Sequence, residues 1–138
     1  MKVNLKRIND ACHLEARNES GVTISIDGAQ EIGGQNLGFR PMQLMLAGIG
    51  SCSSMDIISI LQKQKQTIEN FEVEVNGERE KGKVPSLFET IHVHFKVSGD
   101  LDEDKVKRAI DLSMNKYCSV AKILEKTARI SYTFEVNA

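Results

Sequence analysis

The chain has 138 residues, 18 Lys and Arg against 19 Asp and Glu, and a formal net charge of −1. That length suits one domain spanning 1–138, and 41% hydrophobic residues can form a core without disulfide staples. The even charge balance offers no basic face to a nucleic acid, so no nucleic-acid partner is expected.

Three cysteines, Cys12, Cys52 and Cys118, are an odd number without framework spacing, which suits a reducing, cytoplasmic compartment. No basic segment followed by an apolar stretch and a small-residue cleavage site is found, so no export signal is expected.

Val22, Ile24 and Ile26 alternate with Thr23, Ser25 and Asp27, a period of two that marks a strand with one buried face. Asp27-Gly28 marks a turn. A loop carrying Gly33, Gly34 and Gly38 follows, without the strand–loop–helix fingerprint of a phosphate loop. Pro41 suits the first position of a helix, where its missing N–H has no partner to lose. That helix is expected to run to about Gln66. Its stretch from Met42 to Leu61 carries one charge, Asp56, and has the length of a membrane span. Gln43, Ser51, Ser53, Ser54, Ser59 and two glycines fit the central helix of a globular core instead, and no membrane is expected.

Two strands come next. Phe71, Val73 and Val75 alternate with Glu72, Glu74 and Asn76; beyond the connector Gly82 to Pro85, Ile91, Val93, Phe95 and Val97 alternate with His92, His94 and Lys96. They form an antiparallel hairpin with one wet face. Asp102 is a suitable N-cap for a helix with Val106, Ala109, Ile110 and Tyr117 on one face. A second, short helix starts near Cys118, and Ile130, Tyr132, Phe134 and Val136 alternate in a last strand. The class is α+β. A helix with no polar face must be covered all round, which one chain of this size does not obviously supply. An intertwined homodimer, sheets outside and the Met42–Leu61 helices in the middle, solves the problem.

Cys52 lies about three turns into the long helix, too deep for the helix N-terminus to help its thiolate. Asp56, four residues on, shares its face and disfavours a thiolate. Nothing local activates this sulfur, and on composition a free cysteine in this setting reads first as a small core residue and only second as a nucleophile. Gly48 and Gly50 leave room for a ligand or second helix to approach. Cys118 is placed differently. At the start of a short helix, with Lys116 and Lys122 near in sequence, a thiolate is stabilised; the plainer alternative is a half-buried cap. Cys12 sits in a polar strand or turn with no assigned role. His92-x-His94 occupies the polar positions of a clean alternation without a third donor at ligand spacing, and no metal is expected.

Two phrases carry a family resemblance. One is Pro41-Met42-Gln43-Leu44 leading to Gly50-Ser51-Cys52 and on through Asp56-Ile57-Ile58-Ser59-Ile60-Leu61-Gln62-Lys63. The other is Lys116-Tyr117-Cys118-Ser119-Val120-Ala121 with Leu124-Glu125-Lys126. In these the chain resembles the OsmC / organic hydroperoxide resistance (Ohr) superfamily, nearest its small OsmC-like (YhfA-type) branch, from about Val22 to the C-terminus. The resemblance implies antiparallel sheets wrapped around a long central apolar helix in an intertwined homodimer. It implies a thiol peroxidase acting on organic hydroperoxides in oxidative stress, with Cys52 as the peroxidatic cysteine and Cys118 as the resolving one. A dithiol reductant of lipoyl type would reset the pair, with no metal, flavin or haem. Met42, Met45, Ile49 and Met55 would line an apolar pocket.

One departure stands out. The peroxidase branches carry a glutamate directly after the helix-opening proline, working with an arginine to activate the cysteine. This chain has Met42 there. Arg17 and Arg40 are the candidate arginines. Without such a partner a thiol near its ordinary pKa of about 8.5 is only a few per cent thiolate at neutral pH. The same cleft would then serve a non-catalytic module that binds an apolar small molecule or senses redox state.

Overall fold

The computed structural model describes residues 1–138. The chain divides into two compact units, Met1–Met45 and Leu46–Ala138.

The first unit holds strands β1 (Val3–Arg7), β2 (Leu14–Asn18) and β3 (Thr23–Ile26), an antiparallel sheet in the order β1-β2-β3. The expected burial of one β3 face is not realised within the chain: Ile24 is 49% exposed and Val22 lies just before the strand in the open, leaving Ile26 as the covered member. Beyond β3 the buried Asp27 carboxylate organises the loop. It accepts the N–H groups of Gly28 (2.7 Å), Gln35 (3.1 Å) and Leu37 (3.1 Å) and the Cys12 thiol (3.4 Å). Burial raises the pKa of this carboxyl, but those four donors outweigh it and hold the group below the usual carboxylate range. Cys12, without a role in the sequence reading, is one of the groups that fix this loop.

Helix α1 (Pro41–Lys63) begins as expected at its proline, with the Gln43 side chain reaching back to the Arg40 N–H at 3.0 Å. It stops three residues before Gln66. Lys65 takes a left-handed conformation (φ 59°), and the N–H groups of Lys65 and Gln66 return to the Gln62 and Leu61 carbonyls at 3.0 and 2.9 Å, a Schellman close. Its most apolar stretch has a mean hydropathy of 1.7, enough by length and composition to cross a bilayer. Within this chain only 28% of that stretch is buried, along the face that carries Ile49, Gly50, Ser53, Ile57 and Leu61. A Cβ on Gly50 would lie 2.9 Å from Val75 Cγ2, so the helix rests directly on the sheet. The buried hydroxyls of Ser53 and Ser54 are satisfied by the Ile49 and Gly50 carbonyls at 2.7 and 2.6 Å. Gly50 therefore serves packing against β4, whereas Gly48 faces Val120 at an ordinary distance that would admit a Cβ.

In the second unit β4 (Thr67–Arg79) and β5 (Phe88–Asp100) form the expected antiparallel hairpin, with Val73 opposite Phe95 and Val75 opposite Val93. Strand β6 (Arg129–Val136) lies on the other side of β5, in the order β4-β5-β6. It runs parallel to β5, a correction to the all-antiparallel expectation. The reason is the helical crossover between β5 and β6, which carries the chain back to start again from the same end. As the central strand, β5 buries Ile91, Val93, Phe95 and Val97, whereas the apolar residues of β4 are only half covered. Phe71 meets Phe95 edge to face at 6.2 Å.

The crossover opens with α2 (Glu103–Leu112), capped as expected by the Asp102 carboxylate, which accepts the Asp104 and Lys105 N–H groups and contributes about 1 kcal/mol. Val106, Ala109 and Ile110 are fully buried. A π-turn over Ser113–Tyr117 follows, closed by the Cys118 N–H on the Ser113 carbonyl at 2.8 Å. The extra residue in that turn rotates Tyr117 off the buried face, so it is half exposed rather than aligned with Val106, Ala109 and Ile110. Helix α3 (Ser119–Leu124) completes the crossover.

Candidate active site

The π-turn and the start of α3 bring three chemical groups of the second unit together. The sulfurs of Cys52 and Cys118 and a carboxylate oxygen of Asp56 all lie within 4.8 Å of one another. Cys52 and Asp56 stand one helical turn apart on α1. Cys118 is the N-cap of α3 and wholly buried, while Cys52 and Asp56 are half-buried. Ser113, also fully buried, places its hydroxyl 3.0 Å from Asp56 Oδ2 and 3.3 Å from the Ser53 carbonyl oxygen, joining the π-turn to α1 at the site.

The electrostatics of Cys118 differ from those expected for a thiol at a helix start. Its Sγ does accept the Ala121 N–H at 3.4 Å. Burial nevertheless pushes its pKa up to about 11, helped by the neighbouring Cys52 sulfur and the Asp56 charge; only the Ala121 N–H pulls the other way. The lysines add little, since Lys122 pairs with Glu125 at 3.2 Å and Lys116 lies over the Tyr117 ring. Cys118 is therefore held as a neutral thiol behind Cys52.

The other site residues of the sequence reading fall in different places. Arg17 bonds to the Gly21 carbonyl and the Glu15 carboxylate, and Arg40 to Asn36 Oδ1, all within the first unit. Met42 and Met45 lie in the first turns of α1; Ile49 is sealed in the core and Met55 is 69% exposed. The open cleft of about 300 Å³ beside Asp56 is lined by Asp56, Ser59, Ile60, Lys63 and Tyr117, with none of those four among them. His92 and His94 bond to Ser131 and Thr133 along the wet face of the sheet. Ser113 had no signal in the sequence, because only the π-turn aims it at the site.

Fold and site together define an α+β protein with a dithiol centre flanked by a carboxylate. Residues 33–133 match a family model described as OsmC-like protein. Protein YhfA of Escherichia coli strain K12 is 46% identical over 99 residues, 71% of this chain and 73% of YhfA. A hypothetical protein from Aquifex aeolicus VF5 superposes with a TM-score of 0.80 at 28% identity, covering 99% of this chain and 97% of its own. OhrB of Bacillus subtilis, an organic hydroperoxide resistance protein, has the same fold at a TM-score of 0.64 and 23% identity, covering 97% and 96%. The chain belongs to the OsmC-like family, in its YhfA-type branch.

Proposed function

We propose that the chain is a thiol-based redox protein that reduces organic hydroperoxides through Cys52 and Cys118. The observation that carries this reading is the meeting of a half-buried sulfur and a fully buried one within 4.8 Å. Disulfide formation would draw these sulfurs together to an S–S bond of about 2.05 Å. The Cys52 thiolate attacks the terminal oxygen of ROOH, the O–O bond breaks, and the alcohol ROH leaves with a proton. Cys52 becomes a sulfenic acid. The Cys118 sulfur attacks it, the S–S bond forms, and the hydroxyl departs as water carrying the Cys118 proton. A small dithiol, of lipoyl type by family resemblance, returns the pair to two thiols and is itself oxidised to a disulfide. In this reading a cytoplasmic setting supplies the reductant, and a second copy of the chain covers α1.

The test is intact mass after one equivalent of cumene hydroperoxide. Loss of two hydrogens, abolished in Cys118→Ser with a dimedone-reactive sulfenic acid left on Cys52, is the expected result. An unchanged mass with both thiols titratable rejects it. A second reading is favoured by Met42 at the glutamate position and by the raised pKa of Cys118: a slow redox sensor or binder of an apolar molecule. Met42→Glu separates the two, since a latent peroxidase gains turnover and a binding module does not.

A further inference from the structure

No metal is expected from the sequence, but Asp56 turns the dithiol into a three-donor cluster. Cys52 and Asp56 leave the same face of α1, Cys118 arrives from the start of α3, and the three donor atoms lie within 4.8 Å of one another. A tetrahedral zinc ion, with Zn–S of about 2.3 Å and Zn–O of about 2.1 Å, needs about 3.8 Å between sulfurs and about 3.6 Å from sulfur to oxygen. Those spacings fall inside the observed envelope. Two sulfurs and one carboxylate oxygen favour a borderline-soft ion such as zinc or cadmium over magnesium or calcium, which take all-oxygen shells.

The surroundings are built for the same task. The fully buried Ser113 hydroxyl holds Asp56 Oδ2 at 3.0 Å, fixing the carboxylate while its other oxygen stays available. The Ala121 N–H donates to Cys118 Sγ at 3.4 Å, as amides commonly do to metal-bound sulfur. Asp56 also borders the open cleft it shares with Ser59, Ile60, Lys63 and Tyr117, and a water from solvent would complete a tetrahedral shell as the fourth ligand.

We propose that Cys52, Cys118 and Asp56 bind one zinc-class divalent cation per chain. On loading, each thiol releases its proton to solvent and donates a sulfur lone pair to the ion; no electron moves and both sulfurs stay reduced. With those lone pairs engaged, attack on a hydroperoxide and disulfide closure are blocked. The protective consequence rests on the redox reading above, whereas the metal site does not.

The experiment titrates the reduced protein with cadmium alone and follows the thiolate-to-metal charge-transfer band in the ultraviolet. The expected result is saturation at one equivalent, loss of the band in Cys52→Ser and in Cys118→Ser, and roughly tenfold or greater weakening in Asp56→Asn. X-ray absorption on the zinc-loaded wild type should find two sulfur neighbours and lighter donors, a readout that needs no variant to fold. No band at saturating cadmium, a titration unaffected by Asp56→Asn, or fewer than two sulfur neighbours overturns the site. Hydroperoxide is then added with and without zinc. Thiols preserved by zinc and lost without it support the protective role; equal loss in both overturns that role. A protein that binds cadmium but never forms a disulfide retains the metal site and loses the redox reading.

Discussion

At Cys118 two effects of opposite sign act on one proton. A helix terminus contributes about 0.3–1 kcal/mol toward an anion, and α3 is only six residues long. Each pKa unit corresponds to about 1.4 kcal/mol, so a lift to about 11 means that burial, with Cys52 and Asp56 beside it, outweighs the Ala121 N–H. Stability follows by linkage. Burial favours the neutral thiol, so the unfolded chain ionises first, near the ordinary thiol value of about 8.5. The stabilisation is intact below that value and is lost as pH climbs to about 11. Melting temperatures taken across this alkaline range should fall more steeply for the wild type than for Cys118→Ala. Parallel slopes would show that the thiol is not held neutral. The same residue must lose its proton before or during attack on a sulfenic acid, so disulfide closure should accelerate with pH over that window.

Among the elements, α1 and the π-turn decide where the sulfurs stand. Gly50 lets α1 lie on β4, with Val75 Cγ2 2.9 Å from where a Cβ would be, whereas Gly48 has 3.5 Å to Val120 Cγ1. Replacing a helix glycine with alanine gains about 1 kcal/mol of propensity. At position 50 that gain meets overpacking against a stiff valine, which costs about 1–3 kcal/mol. Gly50→Ala should therefore lower the denaturation midpoint, and Gly48→Ala should raise it. Chemical denaturation of the two single variants checks the pair, and equal effects would remove the packing account of Gly50. The π-turn gives α2 one extra residue, turning Tyr117 outward and setting Ser113 against Asp56. A regular α-helical turn would shift both.

For the whole molecule the unresolved balance is apolar surface. Met55 (69%), Ile123 (66%) and Tyr117 are exposed in the second unit, and Val3, Leu5 and Ile24 in the first. Burying apolar area contributes about 25 cal/mol per Å², and a net charge of −1 puts little repulsion in the way of self-association. The homodimer remains the reading that covers these residues. Light scattering coupled to gel filtration should give the mass of two chains, and Met55→Glu should shift it toward one. A single-chain mass for the wild type would dispose of the dimer.

Much of this protein was written in local pattern. Period-two runs mark β4, β5 and β6, Pro41 marks the start of α1, and Asp102 marks the cap of α2, because alternation, fixed φ and capping act over a few residues. The cysteine phrases pointed to one family, and the site's two sulfurs come from those phrases. Tertiary structure alone decided the rest. The direction of β6 follows from a crossover whose length shows in sequence but whose path does not. The π-turn that aims Ser113 has no periodic signature. The protonation of Cys118 depends on burial beside Cys52 and Asp56, residues 66 and 62 positions away in the chain, roughly the separation at which only long-range packing can act.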